Sequence, residues 1–168
     1  MSSIVFKIVS IALLLTVIVV LSACGAPEGA GLHVEEAWAR PAMAGGDMQA
    51  AGSEGAMGGG MAAPGTGAVF MRLVNDGPEA DRLLAGQTDV AAVVEIHETV
   101  LEGEVMKMRM LPEGLEIPAG DEVALRPGGY HVMLIGVRDD LEIGQRFELD
   151  LRFERAGTVT VEVEVRQP

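Results

Sequence analysis

The chain has a single cysteine, Cys24, and three histidines among its 168 residues. One cysteine excludes an intramolecular disulfide and any thiolate metal cluster. It also disfavours a blue-copper electron-transfer centre, which needs a cysteine ligand within the fold, because Cys24 lies close to the amino terminus. Positive charge is scarce: twelve Lys and Arg face twenty-five Asp and Glu, for a formal net charge of −13. So acidic a chain is repelled by nucleic-acid phosphate and by anionic lipid headgroups, and suits a cationic ligand or a basic protein partner. There is no Ser/His/Asp or Cys/His nucleophilic set and no phosphate-cradling loop between a strand and a helix, so no catalysis is expected. Internal repeats and long helical patterns are also lacking.

What is present begins with an apolar run of 14 residues, 8–21, preceded by Lys7. It is short for a membrane-spanning helix, which needs about 20 residues, and reads as a secretory signal over residues 1–23. The run ends in Leu21-Ser22-Ala23-Cys24-Gly25, which resembles the lipobox of bacterial lipoproteins. That resemblance implies cleavage before Cys24 and lipidation of its sulfur. Each buried methylene contributes about 0.8 kcal/mol, so two or three acyl chains anchor stably where one does not. The expected location is therefore extracytoplasmic, held to the membrane through the lipid.

Residues 24–31 read as a tether, and 32–168 as one domain. Within it, residues 42–67 hold nine Gly, seven Ala and no Lys or Arg. Such a stretch lacks the bulky apolar side chains that offset ordering entropy, and reads as a flexible insert spanning roughly 25–30 Å. Elsewhere, short strands alternate with turns. Strands are expected at 32–38, 68–75, 92–100, 104–110, 121–126, 130–137, 146–154 and 158–166. Turn chemistry stands at Asn75-Asp76-Gly77-Pro78, Pro112-Glu113-Gly114, Pro118-Ala119-Gly120 and Pro127-Gly128-Gly129. The last strand alternates valine with polar residues, as a half-buried antiparallel strand does. This spacing indicates an all-β sandwich or small barrel.

Nine methionines follow the leader. His131 and Met133 lie two apart on one expected strand, so they leave the same face. His97 shares a face with Glu95 and Thr99. Met106, Met108 and Met110 share one face of a third strand, opposite Val105, Lys107 and Arg109. Neighbouring strands could turn these imidazoles and thioethers toward one point. Thioethers are soft donors that favour Cu(I), while imidazole suits several transition metals. His97 and His131 must be neutral to bind, so affinity should fall below about pH 6. Methionines on a strand face are commonly core gap-fillers, and it is the ordered combination that points to metal. Met43, Met48, Met57 and Met61 lie in the insert and are candidate auxiliary Cu(I) donors. His33, on the first strand, reads as a surface histidine.

The order His97-x10-Met108 followed by His131-x-Met133, within Pro127-Gly128-Gly129-Tyr130-His131-Val132-Met133-Leu134, resembles the periplasmic copper chaperone family PCuAC. Ala37-Trp38-Ala39-Arg40-Pro41, Ile117-Pro118-Ala119-Gly120 and Phe153-Glu154-Arg155-Ala156-Gly157 extend the likeness over residues 32–166. One departure is visible. Twenty-two residues separate Met108 from His131, where the family has twenty-one, and a turn at Pro112-Glu113-Gly114 absorbs such an insertion easily. The resemblance implies a cupredoxin-like Greek-key β-sandwich that binds Cu(I) through His97, Met108, His131 and Met133. Met106 and Met110 stand as fallback donors. It further implies delivery of copper to the copper sites of cytochrome c oxidase, or to another copper-transfer protein. A lipoprotein that sequesters copper without donating it, and a metal-free anchored interaction module, are the alternatives.

Overall fold

The computed structural model describes residues 31–45, 65–103 and 105–167. The leader with Cys24, the tether up to Ala30, and residues 46–64 with Met48, Met57 and Met61 lie outside the described residues.

Ten strands and no helix make up the described chain: β1 (Leu32–Ala39), β2 (Thr66–Asn75), β3 (Asp81–Gln87), β4 (Ala91–Glu102), β5 (Val105–Met110), β6 (Leu115–Ile117), β7 (Asp121–Leu125), β8 (Tyr130–Val137), β9 (Arg146–Phe153) and β10 (Thr158–Val165). The all-β expectation holds. Hydrogen bonding runs in the order β5-β4-β8-β2-β1-β10-β9-β3-β6, with β7 on the second half of β2. Several ladder neighbours are distant in sequence, including β8 between β4 and β2 and the parallel pair β1 and β10, as Greek-key connections require. The sheet folds back on itself, so that Gly86 of β3 meets Val94 of β4, where a Cβ on Gly86 would come within 2.7 Å of the valine. Only glycine permits that approach.

Inward-facing alternate residues fill the interior: Val69, Leu73, Leu83, Leu134, Leu149 and Val163 are fully buried. Two buried polar side chains are satisfied by backbone. Asn75 donates to the Glu79 and Ile117 carbonyls and accepts from the Gly77 amide. Asp81 accepts from the amides of Arg82, Arg155 and Ala156, which accounts for the Phe153-to-Gly157 turn as a structural element. Strands β3 and β6 were not expected from the sequence. The first carries Asp81 and Gly86 in place of β-branched residues, and the second has three residues.

A bulge in β1 sets the face on which the candidate site is built. Leu32 to Glu35 pair with Asn75 to Arg72, and the register then slips by one residue before Trp38 pairs with Phe70. Glu36 sits in the slip with φ 53°, a left-handed conformation that side chains adopt at a cost. Without the extra residue, Trp38 would point into the core. With it, Trp38 and Phe70 stand together on the outer face, ring centroids 4.8 Å apart.

The ends of the Gly/Ala insert are tied down. Ala42 bridges Leu141, the Ala44 amide donates to Asp140, and the Gly65 amide donates to the Met43 carbonyl over 2.9 Å. Strand β2 begins at Thr66, two residues earlier than the pattern suggested.

Candidate metal centre

Register decides which side chains meet. Residues directly opposite in an antiparallel pair project from the same face. His97 of β4 stands opposite both His131 of β8 and Met110 of β5. One rung of the sheet therefore carries Met110, His97 and His131 side by side, and the aromatic pair Phe70 and Trp38 continues it on β2 and β1. The next rung toward the β4 amino end pairs Glu95 with Met133. The rung on the other side pairs Thr99 with Met108, and the one beyond it pairs Leu101 with Met106. The structure thus gathers His97, His131, Met133 and Met110 in adjacent rungs and sets Met108 one rung further out. In a flat ladder the Met133 and Met110 Cα atoms would be about 12 Å apart, and those of Met133 and Met108 about 16 Å.

The histidines are held in different ways. His131 is 5% exposed, and its Nδ1 donates to the Gly129 carbonyl over 3.1 Å, which leaves the Nε2 lone pair for a ligand. The Gly129 carbonyl also accepts the Thr99 amide at 3.0 Å, so the Pro127-Gly128-Gly129 turn fixes the imidazole and locks β8 to β4 at once. Gly128 reaches φ 80° in that turn, which glycine alone adopts freely. Burial pushes the His131 pKa below the usual imidazole value. The Gly129 hydrogen bond opposes that shift, and the charges of His97 and Arg40 add to it. The ring is consequently neutral near pH 7, the form that binds metal.

His97 lies 5.8 Å from His131 between ring centroids, and its side chain is 15% exposed. Its Nε2 donates to the Glu95 carboxylate at 2.7 Å, while Nδ1 is buried with no hydrogen-bond partner. A buried polar atom without a partner costs on the order of 1–3 kcal/mol, and a metal ion would satisfy it. A carboxylate behind one ring nitrogen is the usual way to fix a histidine's tautomer and aim the other nitrogen at a metal. Among the described residues, no group of three or more His, Cys, Asp or Glu is placed to hold a metal. The side chains nearest the two imidazoles on this face of β8 and β5 include the thioethers of Met133, Met110 and Met108, a donor type that favours a soft ion.

Around this pair the surface is asymmetric. Phe70 backs His131, 6.4 Å between ring centroids, and Arg40 lies over Phe70 at 5.4 Å from its centroid. Trp38 and Arg40 belong to the Ala37-to-Pro41 segment, whose part in the site the sequence pattern left unexplained. On the opposite side, β5 is an edge strand exposed on both faces. Met106, Met108 and Met110 are 48%, 60% and 49% exposed. His33 lies elsewhere on β1, exposed and within 3.3 Å of Glu35 and 3.5 Å of Asp76. Met43 is exposed at the start of the insert.

Comparison with known proteins is consistent with this architecture. Residues 32–165 match the family model described as "Putative lipoprotein LpqE-like". This chain belongs to the LpqE-like family. Among curated relatives, "Putative lipoprotein Lxx21020" of Leifsonia xyli subsp. xyli (strain CTCB07) is 32% identical over 136 residues, covering 81% of this chain and 70% of its own. Among solved structures, the copper-bound PCuAC domain from PmoF2 superposes with a TM-score of 0.57 at 22% identity, over 82% of this chain and 94% of that one. The Cu(I) form of DR1885 from Deinococcus radiodurans gives 0.55 at 24% identity, over 85% and 83%. The LpqE-like chain therefore has the cupredoxin-like β fold of PCuAC domains.

Proposed function

We propose that this LpqE-like protein is an extracytoplasmic, lipid-anchored Cu(I) carrier that hands copper to cytochrome c oxidase copper sites. The observation that carries the reading is the single rung in which His97 and His131 face each other, each with one ring nitrogen committed to a protein acceptor and the other left for a ligand. Met133 supplies a thioether from the adjacent rung. Strand β5 supplies the fourth donor, with Met108 at the family spacing and Met110 in the histidine rung.

Two imidazoles and two thioethers suit Cu(I), and a thioether binds it without losing a proton. The chemistry is capture and release, with no bond of a substrate made or broken. Solved PCuAC domains with copper bound support the choice of metal, and the LpqE-like lipoprotein description supports anchoring at Cys24. Met43, together with Met48, Met57 and Met61 outside the described residues, supplies auxiliary Cu(I) donors.

Anaerobic Cu(I) titration of the chain lacking residues 1–24, in competition with a chromogenic chelator, should show tight binding. Incubation of the loaded protein with an apo copper A domain should then move copper to that domain. Failure to compete for Cu(I) would refute the metal centre. Binding without transfer would refute delivery and leave a sequestering lipoprotein.

A further inference from the structure

Strand β5 spends three exposed methionines where a soluble protein would ordinarily place polar residues. Met106, Met108 and Met110 all project from the face that carries His97 and His131. They stand in successive rungs about 6.6 Å apart, running from the histidines toward the β4–β5 turn. The opposite face of the strand is charged and pinned. Arg109 donates to Glu98 at 2.8 and 3.0 Å, and Lys107 pairs with Glu102 at 2.7 Å. Those ion pairs hold the hairpin together while keeping cationic side chains off the methionine face. Opposite the thioethers, that face offers Thr99 and Leu101, which do not compete as metal ligands.

We propose that Met106, Met108 and Met110 form a thioether track by which Cu(I) moves between the histidine centre and the exposed turn of the β4–β5 hairpin. The inference rests on the Cu(I) reading above and adds a route to it. In each step one Cu–S bond forms to the next methionine as one Cu–S bond to the previous methionine breaks. Leaving the centre also breaks the two Cu–N bonds and the Cu–S bond to Met133, whose electron pairs return to the neutral imidazoles and the Met133 sulfur, while the neighbouring β5 thioether and solvent water take the emptied positions. Copper remains Cu(I) throughout, and no proton moves because thioethers stay unprotonated. Met side chains have three rotatable bonds and a polarisable sulfur, so neighbouring rungs can share the ion during exchange. The presence of Met110 in the histidine rung and Met108 in the next then has a mechanical meaning: they are successive holders of the fourth position.

The test separates rate from affinity. Met106 lies three rungs along from Met133, and Met106→Leu keeps side-chain volume while removing the sulfur. In anaerobic buffer, copper release from loaded protein to excess bicinchoninate is followed by absorbance, and equilibrium affinity is measured with the same chelator. The expected result for Met106→Leu is a release rate at least ten-fold slower with affinity within three-fold of wild type. Val105→Leu, on the other face of the hairpin, serves as the control for distortion and should release copper at the wild-type rate. Unchanged release by Met106→Leu overturns the track, and so does weakened affinity with faster release, which would make Met106 an ordinary ligand. Wild-type protein that takes up no Cu(I) overturns the parent reading and the track with it.

Discussion

Glu95 offers the most discriminating perturbation of the metal centre, because it binds no copper in the proposed set yet controls a residue that does. Its carboxylate accepts the His97 Nε2 proton over 2.7 Å, which leaves the buried Nδ1 as the ring's free donor. Removing the carboxylate with Glu95→Ala frees the imidazole to rotate and to carry its proton on either nitrogen. It also withdraws a negative charge from beside a cation. Loss of such a partner costs about 10–100-fold in metal affinity, or about 1.4–2.7 kcal/mol. Glu95→Gln keeps an acceptor oxygen and loses only the charge, so its effect should fall between wild type and Glu95→Ala. The assay is Cu(I) competition against a chromogenic chelator under anaerobic conditions, with circular dichroism verifying the β fold. Equal affinity for all three proteins would show that His97 is not a ligand through Nδ1, and the proposed geometry would fail.

Replacement of the ligands themselves should be harsher: His131→Ala or Met133→Ala should weaken Cu(I) binding by orders of magnitude, and wild-type affinity in both would refute the assignment. On β5, Met108→Leu and Met110→Leu should each weaken binding moderately and together severely; a double variant no worse than one single would show that only one of them serves. Apo-protein stability should fall with acidification from about pH 6.5, the unfolded imidazole value, because the depressed pKa of folded His131 lets the unfolded state take up its proton first. The loss should end below the folded value, and His131→Gln should flatten it; equal pH dependence in denaturant titrations of both proteins would contradict that account. Deleting residues 46–64 should lower the copper bound per chain in excess Cu(I), whereas an unchanged ratio would remove the insert as an auxiliary site.

Much of the fold and of the site was legible in residue order because both depend on alternation. Faces of β4, β5 and β8 follow from a period of two, so the grouping of His97 with Glu95 and Thr99, and of the three β5 methionines, is set by residue order alone. Register depends on pairing that residue order does not fix. Spacing selects Met108, whereas pairing across β4 and β5 puts Met110 beside His97, and a turn of unknown length hides that difference. The role of Trp38 was also hidden. Its alternation from Leu32 and Val34 points it inward, and only the bulge at Glu36 turns it out over Phe70. Asp81 gave no sign of its structural duty, since a carboxylate that accepts backbone amides from a turn about 75 positions away leaves no local pattern.

In the proposed Cu(I) reading, the placement of the donors divides holding from release. His131 is buried, backed by Phe70 and tethered to Gly129, and His97 is gripped by Glu95; both lie on inner strands paired on two sides. Such positions lose little conformational entropy when metal arrives, which favours affinity. The β5 methionines occupy a strand at the edge of the sheet among the described residues, and their side chains are exposed. A site built wholly from inner strands would retain copper with no accessible donor for an incoming ligand to displace. A site built wholly on the edge would bind weakly, because every thioether would have to be ordered on binding. In the proposed Cu(I) reading, rigid nitrogen on one side and exposed sulfur on the other would let a single centre be occupied tightly and emptied one bond at a time.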